Sequence, residues 1–318
     1  MSQESEQVTK TVTGKVEAVS VKDEGSDKLA IPERQHVVSL FEYGKYAWLG
    51  GLRKKFFRSA DILVLGFFVS AGLTGIYAVS YTLAKFLDIF GSAIYTTLFP
   101  EISKLSAEGD DSMVSKLTND ALSFGGLFLI PGIVGGTLLG DRLMRIYGDG
   151  FEAGAPILSI LLVGILAYTY NKQLLNTLNA IDRPDLAFRA NAVFIGTNLI
   201  LNVALVYTIG WVGAAIATAT SATIGLVLGF YYTRQQVGFQ VPVGEISRQW
   251  IAALLMGGAV YLARIAGETH PISTHNSVFV VLLVGFGAVV YFGILLVLSK
   301  RLRTTIDRNL PFSLPVVR

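Results

Sequence analysis

From about Tyr46 onward this 318-residue chain alternates long apolar runs with short polar turns, each run close to the roughly 20 residues a helix needs to span hydrocarbon. In lipid no water is available to backbone N–H and C=O groups, so such runs must close their own hydrogen bonds as helices or pair into a closed barrel. Barrel strands would show about ten residues of strict polar and apolar alternation. Ile157 to Leu166, ILSILLVGIL, shows no such period, so helices are expected. The chain reads as all-α, a polytopic transmembrane bundle of about eight helices. The expected spans are Tyr46 to Val69, Ile76 to Phe99, Ala121 to Leu139, Ala155 to Leu178, Phe188 to Tyr207, Val212 to Tyr232, Trp250 to Ala266 and Ser277 to Leu298.

Composition excludes most soluble classes. Hydrophobic residues make up 52% and charged residues 15%, against about 25% charged in an ordinary soluble domain. A net charge of +3 is too small a surplus to imply nucleic acid. Cysteine is absent, which removes disulfides, thiolate metal sites and a cysteine nucleophile. His36, His270 and His275 lack ligand spacing, so no metal or other cofactor is expected. Phosphate-binding glycine loops, paired metal-binding histidines and a nucleophile elbow are all missing, which argues against an enzyme.

Four segments follow from these patterns. Residues 1–44 are polar, mixed in charge and poor in aromatics, and read as a cytoplasmic tail or linker. Residues 45–236 form a six-helix lobe, residues 237–300 add two further transmembrane helices, and residues 301–318 form a basic cytoplasmic tail. Basic residues concentrate in the connections at Lys104 to Asn119, Asp182 to Arg189 and Arg234 to Gln249 and after Lys300, whereas Ser70 to Gly75 and Thr208 to Trp211 hold none. That asymmetry predicts a multi-pass protein of the cell membrane with both termini cytoplasmic. Arg142, Arg145 and Arg264 are exceptions to it.

Ionisable residues within spans are costly in lipid and mark candidate sites. Lys54, Arg58 and Asp61 fall within about a 60° arc of the first span. Either they line a cavity, or Arg53 to Lys55 are only a snorkelling anchor with Arg58 and Asp61 deeper. In the second span Lys85 and Asp88 stand three apart, accompanied by Tyr77, Tyr81 and Tyr95. They are a binding pair or a structural ion pair between helices. The fourth span carries a polar run from Tyr168 to Asn176, including Asn171 and Lys172, which suits a helix end opening onto a cavity. Asn191, Asn198 and Asn202 form a stripe about 40° wide, a pattern common in interhelical hydrogen bonding. Gly213, Ala217, Ser221, Gly225 and Gly229 recur every four residues as a close-packing face. Gly125, Gly126, Pro131, Gly132, Gly135 and Gly136 favour a bend in the third span.

Four stretches, SADILVLGFFVSAGLTGIY (59–77), LFPEISKLSAEGD (98–110), LNAIDRPDLAF (178–188) and GWVGAAIATATS (210–221), carry a family resemblance in their order and spacing. Over about Leu40 to Val237 the chain resembles the polysaccharide-biosynthesis (oligosaccharide, O-antigen type) flippases of the multidrug/oligosaccharidyl-lipid/polysaccharide exporter superfamily. KYAWLG (45–50) and GLFLIPG (126–132) resemble its archaeal or bacterial surface-polysaccharide branch. The resemblance implies the C-terminal lobe plus two extra helices of a 14-helix flippase, with the first lobe missing from this sequence. It implies transport of lipid-linked oligosaccharide by alternating access, in contact with membrane lipids and with a missing first-lobe subunit as a possible partner. On that view Lys54, Arg58 and Lys85 attract the lipid pyrophosphate, while tyrosine and asparagine side chains such as Tyr81, Asn171 and Asn198 suit sugar hydroxyls. Asp61, Asp88 and Lys172 complete the candidate substrate-binding set. The alternatives are a cation-coupled small-molecule exporter of the same superfamily, with Asp61 or Asp88 as proton or sodium site, a membrane enzyme of polysaccharide assembly, and a non-transporting remnant or assembly partner.

Overall fold

A computed structural model describes residues 60–309, and every regular element among them is helical. The order is α1 (Ala60–Phe68), α2 (Ala71–Ala107), α3 (Asp111–Gly125), α4 (Leu129–Arg145), α5 (Ala155–Ala180), α6 (Pro184–Ile209), α7 (Trp211–Gln236), α8 (Val243–Glu268), α9 (Asn276–Leu298) and α10 (Lys300–Asn309). Short 3₁₀ turns cover Phe151–Gly154 and Pro271–Thr274. Most of the first expected span, including Lys54 and Arg58, lies outside the described residues.

Six stretches among the described residues are long and apolar enough to cross a membrane, against about eight expected along the whole chain. Of the two that remain, the first expected span lies mostly outside the described residues and the second is α2. Its 37 residues would reach about 55 Å, ample to cross, but Lys85, Asp88, Ser92 and their neighbours lower its hydropathy. A helix that polar must turn much of its surface toward protein or water rather than lipid. The chain is a multi-pass helical membrane bundle.

The turns follow local chemistry. Asp110 caps α3, its carboxylate accepting from the Met113 N–H at 3.0 Å. Pro184 opens α6 at a position where no intrahelical N–H is needed. Gly210 alone joins α6 to α7, with φ of 68°. In that hairpin the two chains run so close that a Cβ on Gly213 would stand 2.3 Å from the Leu205 carbonyl oxygen.

The bend expected in the third span is a break at Gly126 to Phe128, between α3 and α4. The other glycines of that stretch have a different role. Gly132 receives Leu87 of α2 and Gly136 receives Leu162 of α5, so both are packing notches. Pro131 sits in the first turn of α4, where its missing N–H leaves no carbonyl of the helix unserved.

Helix α5 is the centre of the lobe. It packs along α7 and α2, and at Gly164 the backbones of α5 and α7 approach so closely that an added Cβ would meet Ala219 Cα at 2.9 Å. The small-residue ladder of α7 is buried as expected: Ala217 and Ser221 are fully enclosed, and Gly225 and Gly229 face Asn171 of α5. Small residues permit this approach, which replaces lipid contact by dense van der Waals packing. Around it lie Tyr77, Leu129, Ile157, Leu161 and Ile165. Helices α8 and α9 cover the far side of α4 through a second apolar cluster that includes Ile130, Leu139, Met256 and Leu283.

The close α5–α7 approach generates a test. Gly164→Ala should destabilise the protein by about 1–3 kcal/mol, the usual cost of overpacking a filled core. Gly135→Ala, where nothing lies within 4 Å of the added Cβ, should change stability by less than about 0.5 kcal/mol. Thermal denaturation of the two variants in the same detergent compares them.

Candidate functional site

Polar side chains collect along one stripe of α2. Tyr77, Tyr81, Lys85, Asp88 and Ser92 fall within about an 80° arc at 100° per residue. Two carboxylate centres meet this stripe, one at Tyr77 and one at Asp88, about 16 Å apart along the helix axis.

At the first of these centres, Asp88, one buried carboxylate serves two cations. It is only 3% exposed. Lys85 Nζ donates to Oδ2 at 2.8 Å from one turn earlier on α2. Lys172 Nζ reaches across from α5 to both oxygens, at 3.1 and 3.0 Å. Thr169 Oγ1 donates to Oδ1 at 2.6 Å, and Lys172 also donates to Ser92 Oγ at 2.7 Å. Below them Gln173 Nε2 donates to the Gly91 carbonyl at 2.8 Å. Both ammonium groups lie near the Tyr168 ring, Lys85 at 4.5 Å and Lys172 at 5.4 Å from its centroid, where the aromatic quadrupole favours positive charge. Two lysines against one aspartate leave a surplus positive charge. Lys85 and Lys172 keep 33% and 21% of their side-chain surface exposed, so that surplus is accessible.

The second centre is Asp61 of α1. Tyr77 Oη donates to Oδ2 at 2.8 Å, Thr218 Oγ1 to Oδ2 at 2.6 Å and Asn202 Nδ2 to Oδ1 at 2.5 Å. Asn198 Nδ2 donates to Ser221 Oγ at 3.2 Å and to Thr218 Oγ1 at 3.4 Å, steadying the hydroxyl that binds the carboxylate. Among the described residues every hydrogen-bond partner of Asp61 is neutral. The Oδ1 atom of Asn202 is buried and without a partner there.

Between α5 and α6 lies a cavity of about 320 Å³ whose walls include Tyr168, Asn171, Lys172, Asn176, Asn179 and Asn191. Asn171 is its deepest wall, 1% exposed and seated against the Gly225 and Gly229 notches of α7. Lys172 belongs to both the cavity and the Asp88 centre.

The structure thus brings Lys85, Asp88, Lys172 and Asn171 into one region and puts Asp61 and Asn198 in another. Tyr81 is half-buried between the two on the α2 stripe. Lys54 and Arg58 fall outside the described residues. Three sequence expectations change in detail. The polar run from Tyr168 to Asn176 is not a helix end, because α5 continues to Ala180; its alternate sides fill the core and the cavity. Asn198 and Asn202 bond between helices, but Asn191 faces the cavity. Lys85 and Asp88 are both an ion pair and part of a helix cross-link, since Lys172 joins them.

Two polar clusters were not foreseen. Arg264 of α8 pairs with Asp141 at 2.8 Å and with Glu268 at 3.1 Å, and Arg142 pairs with Glu268 at 3.0 Å. Arg142 also lies 4.9 Å from the Phe279 ring. At the opposite end Arg301 pairs with Asp120 and donates to Ser123 Oγ at 2.8 Å, while Ser299 donates to the buried Glu245. Arg264 and Glu268 stand four apart on α8, but the contacts that tie each cluster together, Arg264 with Asp141, Arg142 with Glu268 and Arg301 with Asp120, join residues more than a hundred positions apart and leave no local signal.

Residues 62–284 match the family described as lipid II flippase MurJ. The chain is 35% identical over 286 residues to a Haloferax volcanii protein named "Probable flippase AglR", covering 89% of this chain and 59% of that one. It is 27% identical over 293 residues to the same organism's "Probable low-salt glycan biosynthesis flippase Agl15", covering 92% and 61%. A solved structure titled "Lipid II flippase MurJ, inward closed conformation" superposes with a TM-score of 0.66 at 19% identity over 91% of this chain and 59% of that one. The likeness to that structure establishes the fold. The chain spans about three-fifths of the length of these relatives.

The shared carboxylate predicts non-additive energetics. Asp88→Asn leaves two ammonium groups facing each other and should cost about 2 kcal/mol, within the range for unpairing a buried hydrogen-bonded group. Adding Lys172→Gln should recover part of that loss. A double-mutant cycle read by thermal denaturation would show positive coupling between the two positions.

Proposed function

Because this chain belongs to the lipid II flippase MurJ family, we propose that it moves lipid-linked oligosaccharide across the cell membrane for surface polysaccharide or glycan synthesis, with a cargo of O-antigen type. The observation that carries this reading is the pair of lysines beside an amide-lined cavity within the helical bundle. A lipid pyrophosphate is anionic and rich in acceptor oxygens, so two partly exposed ammonium groups in a low-dielectric site would hold it by charge-assisted hydrogen bonds. Tyr168 shields one side of that pair, and the cavity offers room for the attached sugar.

The chain supplies the second lobe of the transporter in this reading, and residues 237–300 supply two additional helices that brace it. A facing first lobe, encoded in the same polypeptide or as a separate subunit, would complete the pathway. The orientation proposed is cytoplasmic for both termini. Two of the three exceptions to the positive-inside pattern, Arg142 and Arg264, are neutralised by Glu268 and Asp141, which lowers their weight in setting topology. The cavity then lies toward the cytoplasmic end of α5 and α6, where a substrate made in the cytoplasm would load.

Asp61 and Asp88 suit different tasks. Asp88 already binds two ammonium groups, whereas the described partners of Asp61 are a phenol, an amide and a hydroxyl. If transport is coupled to a cation, Asp61 is the carboxylate that binds it, and the α1–α6–α7 contact is what such binding would tighten.

Reconstitution tests both parts. In vesicles carrying a fluorescent lipid-linked oligosaccharide, with the first lobe supplied where the chain alone is inactive, Lys172→Gln should slow headgroup exposure on the opposite leaflet about tenfold. Normal rates in Lys172→Gln and Lys85→Gln would remove the pyrophosphate assignment. Asp61→Asn should abolish any acceleration by a sodium or proton gradient while the gradient-free rate persists.

A further inference from the structure

The cavity between the last three turns of α5 and the first two of α6 contains polar groups that the lobe itself does not use. Four amides among the described residues are fully buried, and three of them each donate one side-chain hydrogen bond: Gln173 to the Gly91 carbonyl, Gln249 to the Ser123 carbonyl and Asn202 to Asp61, although the oxygens of Gln249 and Asn202 have no described partner. Asn171, the fourth, lines the cavity and makes none to a described residue. Asn176 Nδ2 and Asn171 Oδ1 are buried with no partner, and neither Asn179 nor Asn191 makes a side-chain hydrogen bond to another described residue. Asn171 and Asn176 thus carry buried unpaired amide atoms at one cavity, where buried amides ordinarily find partners, and the exposed amides of Asn179 and Asn191 stand beside them.

From this arrangement we infer that the cavity is a binding site for one pyranose ring, recognised through its hydroxyls. The inference deepens the flippase reading and rests on it. Each carboxamide offers both donor and acceptor, as a ring of vicinal hydroxyls requires. Among the described residues neither Asp nor Glu lines the cavity, and Lys172 is the one cation that does. The Phe188 ring, 72% exposed at the rim, offers an apolar surface to the C–H face of a sugar. A volume of about 320 Å³ is at the low end for ligand pockets and suits a single ring rather than a chain. Lys172 sets the polarity of binding: it lines the cavity, and its ammonium group shares the Asp88 carboxylate with Lys85. A pyrophosphate on the two lysines would therefore deliver the first sugar of the headgroup to the asparagines, leaving later sugars outside.

Equilibrium binding to the full chain in nanodiscs tests this with three probes: a short-chain prenyl pyrophosphate, the same lipid bearing one glucose, and free methyl glucoside. The native protein should bind the glucosylated lipid about tenfold tighter than the bare pyrophosphate, an increment of one or two net hydrogen bonds. Free glucoside should bind at least a hundredfold more weakly than the glucosylated lipid. The double variant N179L/N191L, altered at two exposed positions, should lose the tenfold increment and keep native affinity for the bare pyrophosphate and native thermal stability. Lys172→Gln should weaken both lipids alike. If the double variant keeps the increment, or the native protein shows none, the sugar site is not here, although the pyrophosphate reading stands. Free glucoside binding as tightly as the lipid would make this a soluble-sugar site and overturn the coupling to Lys172. A native chain that binds neither lipid sinks the site and the flippase reading together.

Discussion

Asp88 is held by two ammonium groups from two helices, and much of the lobe's arrangement depends on that cross-link. A carboxylate 3% exposed within a membrane bundle is tolerable only when its charge is matched and its lone pairs are filled. Lys85, Lys172, Thr169 and Ser92 fulfil both conditions. The consequence is mechanical as well as electrostatic. Helix α2 is tied to α5, and α5 lies against α7 by way of Gly164, Gly225 and Gly229. Because the cluster carries more positive than negative charge, the same contact that fixes two helices also leaves an anion-attracting surface at the cavity edge.

Such a bundle separates its packing from its chemistry by residue type. Small residues let α5, α6 and α7 approach closely, so their contact needs no polar glue along most of its length. Polar groups are then concentrated at Asp61, at Asp88 and in the cavity. The outer helices α8 and α9 obey a different rule. An apolar cluster binds them to α4, and ion pairs near both ends, Arg264 with Asp141 and Arg301 with Asp120, set their position. These end contacts lie toward the aqueous boundaries, where charge costs less than in the middle of the bilayer.

The pairing of Lys85 with Asp88 was legible because helical geometry places residues three apart on one face. The stripe of asparagines in α6 and the four-residue ladder in α7 were legible for the same reason. Lys172 was visible as an intramembrane cation, but its partner was not, since Asp88 lies 84 residues away and only the α2–α5 contact joins them. Thr218 and Tyr77 carried no signal at all as ligands of Asp61; hydroxyls of this kind are frequent in membrane helices and usually bond their own backbone. The third-span glycines show the limit from the other side. Composition pointed to a bend, yet only the break at Gly126 is one, and Gly132 and Gly136 serve to admit neighbouring side chains.

By itself the sequence determined the class of this protein: runs long and apolar enough to cross a membrane must be helical, because lipid supplies no partner for an open backbone. It also determined which residues could not face lipid. Tertiary structure alone decided what those residues face. Whether an asparagine bonds a neighbouring helix, as Asn202 does, or lines a cavity, as Asn179 and Asn191 do, depends on the distance and rotation between helices. Those are set by side-chain packing across contacts remote in sequence, and helical periodicity, which is a property of one helix, carries no information about them.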